Sequence, residues 1–388
     1  MPHEPATTRP SPGAPDLKDP PLLGALIHPG MPALAPGPLY PMFKRRLNDP
    51  VFYLLPALMW LGLALRHGSL TLPTAANPSM EVGGLWGESK AQGLGLFGPV
   101  GRQFTAPYVV LCRGGESADA AEAEALAALR GAGIDFPVVA KPDRGYQGWG
   151  VRALQDVTDL RAYLAPAGAG LRILLQKLVR FQGEAGIFYI REPGAARGRI
   201  VSLALNYAPH VIGDGRKSVA DLVVADPVLA ANRAVYQARS PAGWGSIPAP
   251  GEVVILTNAR SARLGAVYRS ALDQVTPALE EIVDTIAREI PDFHFGRFDI
   301  RFSSLEALQE GRDFLIVELN GAGAEMLHLW EGATSLSSAY RTLWRQYRKL
   351  FAIGAAMRRQ GHRPAGLRQM LALQRRQERL RKAYPPSS

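Results

Sequence analysis

The sequence predicts a mixed α+β fold, and three observations carry that expectation. From about Leu70 to Ile353, short runs rich in β-branched and aromatic residues alternate with helical stretches. Hydrophobic residues make up 47% of the 388 positions and charged residues 20%, which excludes wholesale disorder and supplies one large or two ordinary cores. No self-similarity of solenoid period divides the chain into repeats.

The elements follow in order. Residues 1–41 hold 12 of the 32 prolines, so no apolar period survives there and a disordered arm is expected. The arm lacks a charged stretch followed at once by an apolar run, which argues against a secretory leader. A reduced N-terminal region, 42–84, opens with Lys44-Arg45-Arg46 and the apolar run Val51–Leu65. At 1.5 Å per residue that run spans about 22 Å, short of a ~30 Å hydrocarbon core, so a membrane span is not expected. Two readings stay open for it: a buried helix, or an interfacial helix with a cationic flank. The body, 85–340, carries β-rich runs at Tyr108–Cys112, Phe136–Lys141, Ile173–Lys177, Gly186–Arg191, Ile200–Leu205, Val253–Thr257, Arg297–Phe302 and Phe314–Asn320. Its helical stretches include Ala118–Gly131, Asp156–Ala165 and Thr276–Ile290. A basic helical tail, 341–388, follows. The single cysteine, Cys112, excludes a disulfide framework and a thiolate-only metal site, which accords with a reducing cytoplasm.

The most informative stretch is Phe136-Pro-Val-Val-Ala-Lys-Pro-Asp-Arg-Gly-Tyr-Gln-Gly-Trp-Gly-Val151. A β-rich run ends in Lys141, a loop carries Gly145, Gly148 and Gly150, and a second apolar run, Val151–Leu154, precedes the next helix. Glycines let backbone N–H groups close on an anion, and the lysine supplies a point charge. The stretch reads as a phosphate-holding loop within a hairpin, with a plain turn as the alternative. A dinucleotide fold would open a helix directly after the glycines, and no Gly-x-x-x-x-Gly-Lys-Ser/Thr occurs, so both of those readings fail.

A second constellation lies about 150 residues later. In Gly296-Arg-Phe-Asp-Ile-Arg-Phe302, alternation puts Phe298, Ile300 and Phe302 on one face and Arg297, Asp299 and Arg301 on the other. In Phe314-Leu-Ile-Val-Glu-Leu-Asn320, Glu318 shares a face with Asn320. If the two strands are neighbours, Asp299, Glu318 and Asn320 converge as hard oxygen ligands of the kind Mg²⁺ takes together with nucleotide phosphates. A cross-strand ion-pair network on a solvated face is the alternative.

Together the two constellations resemble the ATP-grasp superfamily of carboxylate–amine ligases over roughly residues 85–335. Asn206–Leu222 is similar to the same region of cyanophycin-synthetase-type and D-alanine–D-alanine-ligase-like members. The resemblance implies two α+β subdomains clasping ATP, with a reduced N-terminal region and a basic tail. It also implies residue roles. Lys90, Lys141 and the loop residues Arg144, Gly145, Gln147, Gly148 and Gly150 would hold the phosphates. Backbone groups of Gln176, Lys177 and Leu178 would read adenine, and Glu184 would take the ribose. Asp299, Glu318 and Asn320 would ligate Mg²⁺, and Arg297 would contact the transferred phosphate. Arg260, Arg263 and His210 are candidates for substrate or γ-phosphate contact.

What the resemblance implies for activity is an ADP-forming ligase that turns a small or peptide-like carboxylate into an acyl phosphate and joins it to an amine. Two rivals stand beside it: a kinase that stops at phosphoryl transfer, and a nucleotide-binding, membrane-associated partner protein without turnover. Members usually carry a substantial Rossmann-like domain ahead of the nucleotide domain, whereas only about residues 42–90 are available here. A homo-oligomer is a further implication, with no stretch marking its interface.

The net charge of +10 is unevenly placed. From Arg341 onward, thirteen Lys and Arg face Glu378 alone, a local +12 that leaves −2 for residues 1–340. A solvated basic helix and contact with an anionic membrane or acidic partner both fit this tail. Nucleic acid is disfavoured because no aromatic platform accompanies the charge. The expected location is cytoplasmic, with peripheral attachment to the inner face of the membrane as a second reading.

Overall fold

The computed structural model describes residues 26–34, 37–145 and 148–384. Strands β1 (Tyr108–Cys112), β2 (Val138–Pro142), β3 (Arg152–Leu154) and β4 (Arg172–Lys177) form an antiparallel sheet in the order β1-β4-β2-β3. Alternation in β2 turns Val138 and Ala140 into a core and Val139 and Lys141 to the opposite face. The core is closed by two helices, Ala118–Gly131 and Val157–Leu164, whose caps Ser117 and Asp156 accept from the N–H groups of Ala120 and Asp159.

The remaining strands are β5 (Gly183–Ile190), β6 (Arg199–Tyr207), β7 (His210–Ile212), β8 (Val253–Ile255), β9 (Val267–Ser270), β10 (Phe295–Phe302) and β11 (Phe314–Asn320). Five make a larger antiparallel sheet, β11-β10-β5-β6-β9, while β7 pairs with β8. The helix Pro277–Glu289 starts where Thr276 caps Leu279 and Pro277 fills a position whose N–H would be unsatisfied. Its Leu279, Val283 and Ile286 pack with Ile187, Phe298, Ile300 and Ile316. The opposite face of this sheet carries Glu184, Arg297, Asp299, Arg301, Glu318 and Asn320 and looks into a cleft.

The N-terminal expectation needs correction. Residues 1–25, 35 and 36 lie outside the described residues, but 26–34 and 37–41 are packed rather than loose. Ile27, Met31, Leu34 and Tyr40 are buried in the larger core. Proline forbids a helix there without forbidding packing, because side chains and backbone from elsewhere meet the irregular segment's polar groups: Leu305 N–H donates to Gly30 O at 3.0 Å, and Tyr207 OH to Pro32 O at 3.0 Å.

The apolar run forms a helix, Asp49–His67, longer at both ends than the run itself because Asn48 caps Val51 N–H and Gly68, at φ 66°, ends it. Pro56 has no N–H to offer Phe52 O, and Tyr340 OH takes that place at 3.2 Å. The helix runs parallel to Leu336–Arg359: Phe52 stacks on Tyr340 at 5.4 Å, Trp60 meets Tyr347 and Phe351 at 5.2 and 5.0 Å, and Arg358 donates to His67 O at 3.2 Å. The buried reading holds for one face only, since Phe52, Leu63 and Ala64 are buried while Leu54, Leu58 and Leu65 are exposed. By length and composition this is the one helix among the described residues that suffices to cross a membrane.

The basic tail is also less free than expected. Leu336–Arg359 buries Leu343, Leu350, Phe351 and Met357 and is part of the body, so residue 341 is not a boundary. The helix Leu367–Ala383 leans on the first lobe through partly buried Leu380 and through Tyr384, whose OH donates to Arg172 O at 2.6 Å. Arg368, Arg375, Arg376 and Arg379 project from a docked helix.

Candidate active site

The two sheets face each other across a cleft of about 1390 Å³. Register fixes its chemical floor: Arg297 pairs with Asn320 and Asp299 with Glu318 on β10 and β11, and all four side chains lie on the cleft face. Arg297 holds Asp299 through Nε–Oδ1 at 2.6 Å and Nη2–Oδ2 at 3.0 Å, and Asn320 Nδ2 donates to Oδ2 at 2.9 Å. Glu318 Oε1 lies 3.1 Å from Lys90 Nζ. Burial pushes the Asp299 carboxyl up against the pull of Arg297. Burial acts on Glu318 in the same direction, but Lys90 and Lys141 outweigh it and hold that carboxyl below the usual range.

The opposite wall comes from the first lobe. Lys141, at the end of β2, donates to Gln176 Oε1 at 2.7 Å, and burial, relieved by Glu318 and reinforced by Lys90, lowers it to about 8. Burial would lower Lys90 too, yet Glu318 more than compensates and raises it. Lys90 Nζ also donates to Gly145 O at 2.9 Å, so the first lysine is tied to the glycine-rich loop. Gly148 and Gly150 take φ of 75° and 68°, which a side chain would strain. The loop is anchored by Asp143, a residue that sequence reasoning passed over. Its carboxylate is 1% exposed and accepts from Ser89 Oγ at 2.7 Å, Ala91 N–H at 2.9 Å and Arg172 Nε at 3.1 Å, while its own carbonyl accepts from Lys90 N–H. One aspartate thereby positions the loop and the helix Lys90–Gly95 together.

The expected residues divide accordingly. Lys90, Lys141, Gly145, Gly148, Gln176, Lys177, Leu178, Glu184, Arg260, Arg263, Arg297, Asp299, Glu318 and Asn320 line the cleft. Arg144 does not, because it is turned to the N-terminal region, where it pairs with Glu81 at 2.6 Å and donates to Gly87 O. Gly150 is likewise outside the lining, with its carbonyl taken by Tyr163 OH at 2.7 Å. Gln147 lies outside the described residues. At the hinge, the N–H groups of Lys177 and Leu178 are already bonded to Pro107 O and Pro137 O, so the donor without a protein acceptor among the described residues is one residue on, at Val179. Glu184 is the hub of a network with Arg301 at 2.7 Å, Asn206 at 2.6 Å and Arg260 at 3.6 Å.

His210 is a clear miss. It is 3% exposed, its Nδ1 lies 2.7 Å from Ala208 O, and burial lowers its pKa; β7 turns it into the core, away from substrate. Arg260 reaches the cleft but is locked onto Asn206 O and Gln182 O, both at 2.9 Å. Arg263 lies over the Trp149 ring at 5.0 Å, a cation–π contact joining the glycine-rich loop to the larger lobe. The N-terminal helix adds unforeseen wall residues: Tyr53 OH donates to Glu325 Oε1 at 2.8 Å, and Trp330 Nε1 lies 3.3 Å from Glu325 Oε2. Burial raises the Glu325 carboxyl against these donors.

Two antiparallel sheets, with Lys141 on one wall and Asp299 and Glu318 on the other, form the two-lobed arrangement that the ATP-grasp resemblance implies. Among solved structures, a bifunctional glutathione synthetase from Pasteurella multocida is similar at 18% identity, over 64% of this chain and 34% of that one, with a TM-score of 0.38. The VanG D-Ala:D-Ser ligase from Enterococcus faecalis is similar at 12% identity, over 69% of this chain and 62% of that one, with a TM-score of 0.36. The chain thus spans about a third and about three fifths of those two proteins. No protein-family model and no curated protein matches the sequence.

Among the described residues no three His, Cys, Asp or Glu side chains gather as a metal cluster. Two carboxylates and an amide on one sheet face are nonetheless a hard-oxygen donor set of the sort that Mg²⁺ shares with phosphates, and they suit that ion.

Proposed function

We propose that the protein is an Mg·ATP-dependent ligase that activates a carboxylate as an acyl phosphate and joins it to an amine. The observation that carries this reading is the meeting of Lys90 and Lys141 with Arg297, Asp299, Glu318 and Asn320 across one cleft. Asp299, Glu318 and Asn320 would hold Mg²⁺, which supplies charge neutralisation on the transferring phosphoryl group. Lys141 from the first lobe and Lys90 from the helix Lys90–Gly95, which packs on the larger sheet, would hold the polyphosphate beside the glycine-rich loop. Arg297 steadies charge on the migrating phosphoryl and aligns it with the attacking carboxylate oxygen. The P–O bond to ADP breaks as the bond to the carboxylate forms. The amine then adds to the acyl carbon, and phosphate leaves with the C–O electron pair. Glu325, a buried carboxylate on the wall with a raised pKa, is suited to take the amine's proton. No protein nucleophile is needed.

Screening ADP release with Mg·ATP against pooled small carboxylates, amino acids and peptides tests the reading. Hydroxylamine in place of the amine is expected to give a hydroxamate. ADP release with a phosphorylated alcohol and no hydroxamate would mean a kinase instead.

The lowered Lys141 adds a pH dependence. Its ammonium is present below about pH 8 and lost above it, so the nucleotide Kd is expected to rise as pH climbs through 8, by up to ~10-fold per unit. Titrating nucleotide binding against pH measures this, and Lys141→Arg should flatten the rise because a guanidinium keeps its proton.

A further inference from the structure

The helix Asp49–His67 has an outer face that water does not suit. Val51, Leu54, Leu55, Leu58, Leu61 and Leu65 are between 41 and 76% exposed. At 100° per residue they fall within an arc of about 120°, and Gly62 lies in the same arc. No charged residue occurs between Asp49 and Arg66. A surface helix of a soluble body turns its polar residues outward, and this one has none to turn. The inner face is committed along its length, from Phe52 on Tyr340 through Trp60 on Phe351 to His67 under Arg358. A rod welded to the body on one side cannot thread a bilayer. It can lie flat on one.

The charge around the face selects the surface. Arg66, Arg358, Arg359 and Arg363 are exposed at and beyond the C-terminal ends of the two parallel helices, and the neighbouring helix exposes Arg341, Arg345 and Arg348. No Asp or Glu occurs from Gly332 to Gln377. A two-helix seam between copies would want a narrower stripe, and it would bring these like charges together. An anionic headgroup layer complements them while the acyl boundary takes the leucines.

We propose that the protein binds anionic membranes through the exposed face of the helix Asp49–His67, laid in the plane of the surface, with the arginines of Leu336–Arg359 at the headgroups. The test is co-sedimentation of the full chain with phosphatidylcholine vesicles and with vesicles of equal parts phosphatidylcholine and phosphatidylglycerol, at low and high salt. The wild type is expected to pellet with the anionic vesicles, less so in high salt. Leu58→Glu/Leu61→Glu, whose side chains point to solvent, should keep the melting profile of the wild type and lose at least ~10-fold in vesicle binding. Arg345→Glu/Arg348→Glu should remove the preference for anionic vesicles. Wild type that stays in the supernatant with both vesicle types overturns the proposal, as does undiminished binding by the leucine variant. So does a lipid-indifferent dimer that Leu58→Glu/Leu61→Glu dissolves, which would give the face to a second copy.

Discussion

Replacing Glu318 by Gln is expected to lower ADP formation by about 10²–10³-fold, with the fold intact. The amide keeps the volume but brings no charge, so the proposed Mg²⁺ set would lose one of its two carboxylates. Lys90, 3.1 Å away, and Lys141 would then face each other in the cleft without the anion that separates them. Steady-state ADP release at saturating Mg·ATP measures the effect, and circular dichroism checks the fold. Near-normal turnover would instead make Glu318 a member of a structural ion-pair network, the alternative that the alternating strand left open. Asn320→Ala tests the same set with no change of charge.

The largest effect on stability is expected at Asp143. Replacing it by Ala removes a carboxylate that meets Ser89 Oγ, Ala91 N–H and the half-exposed Arg172, and it leaves the two buried donors without an acceptor. An unsatisfied buried donor costs about 1–3 kcal/mol. A denaturant titration should show the loss, and Asp143→Asn should recover part of it by keeping an acceptor. Because the lost carboxylate accepts from Ser89 Oγ and Ala91 N–H on either side of Lys90, the variant should also bind nucleotide more weakly even where it is folded. A stable variant with normal nucleotide affinity would leave Asp143 no role in holding the loop.

The strands were legible because each buries one face. All eight β-rich runs named from the sequence coincide with strands, and the alternation in Arg297–Phe302 and Phe314–Asn320 placed the cleft residues on the correct side. The short edge strand β9 and the short β7 left no such pattern, and His210 was misread because its direction depends on the pairing of β7 with β8. The packed segment 26–34 was hidden for a related reason, as its irregular backbone is supported by Leu305 and Tyr207, far along the chain. Tyr53 and Glu325 are separated by 272 residues, and Asp143 stands 54 from Ser89. Contacts of that kind belong to the tertiary fold, and no local pattern encodes them. Lys141 and Glu318 could be read early because a strand and a loop position them locally.

The Tyr53–Glu325 hydrogen bond joins the cleft to the rod whose other side is bare leucine. Tyr53 cannot move without the helix, and the helix cannot move without Tyr53. A ligand whose affinity depends on where Tyr53 sits and a surface that holds the apolar face would therefore act on one rigid element. Should a bilayer change ligand affinity by some factor, free-energy linkage requires bound ligand to change affinity for the bilayer by the same factor.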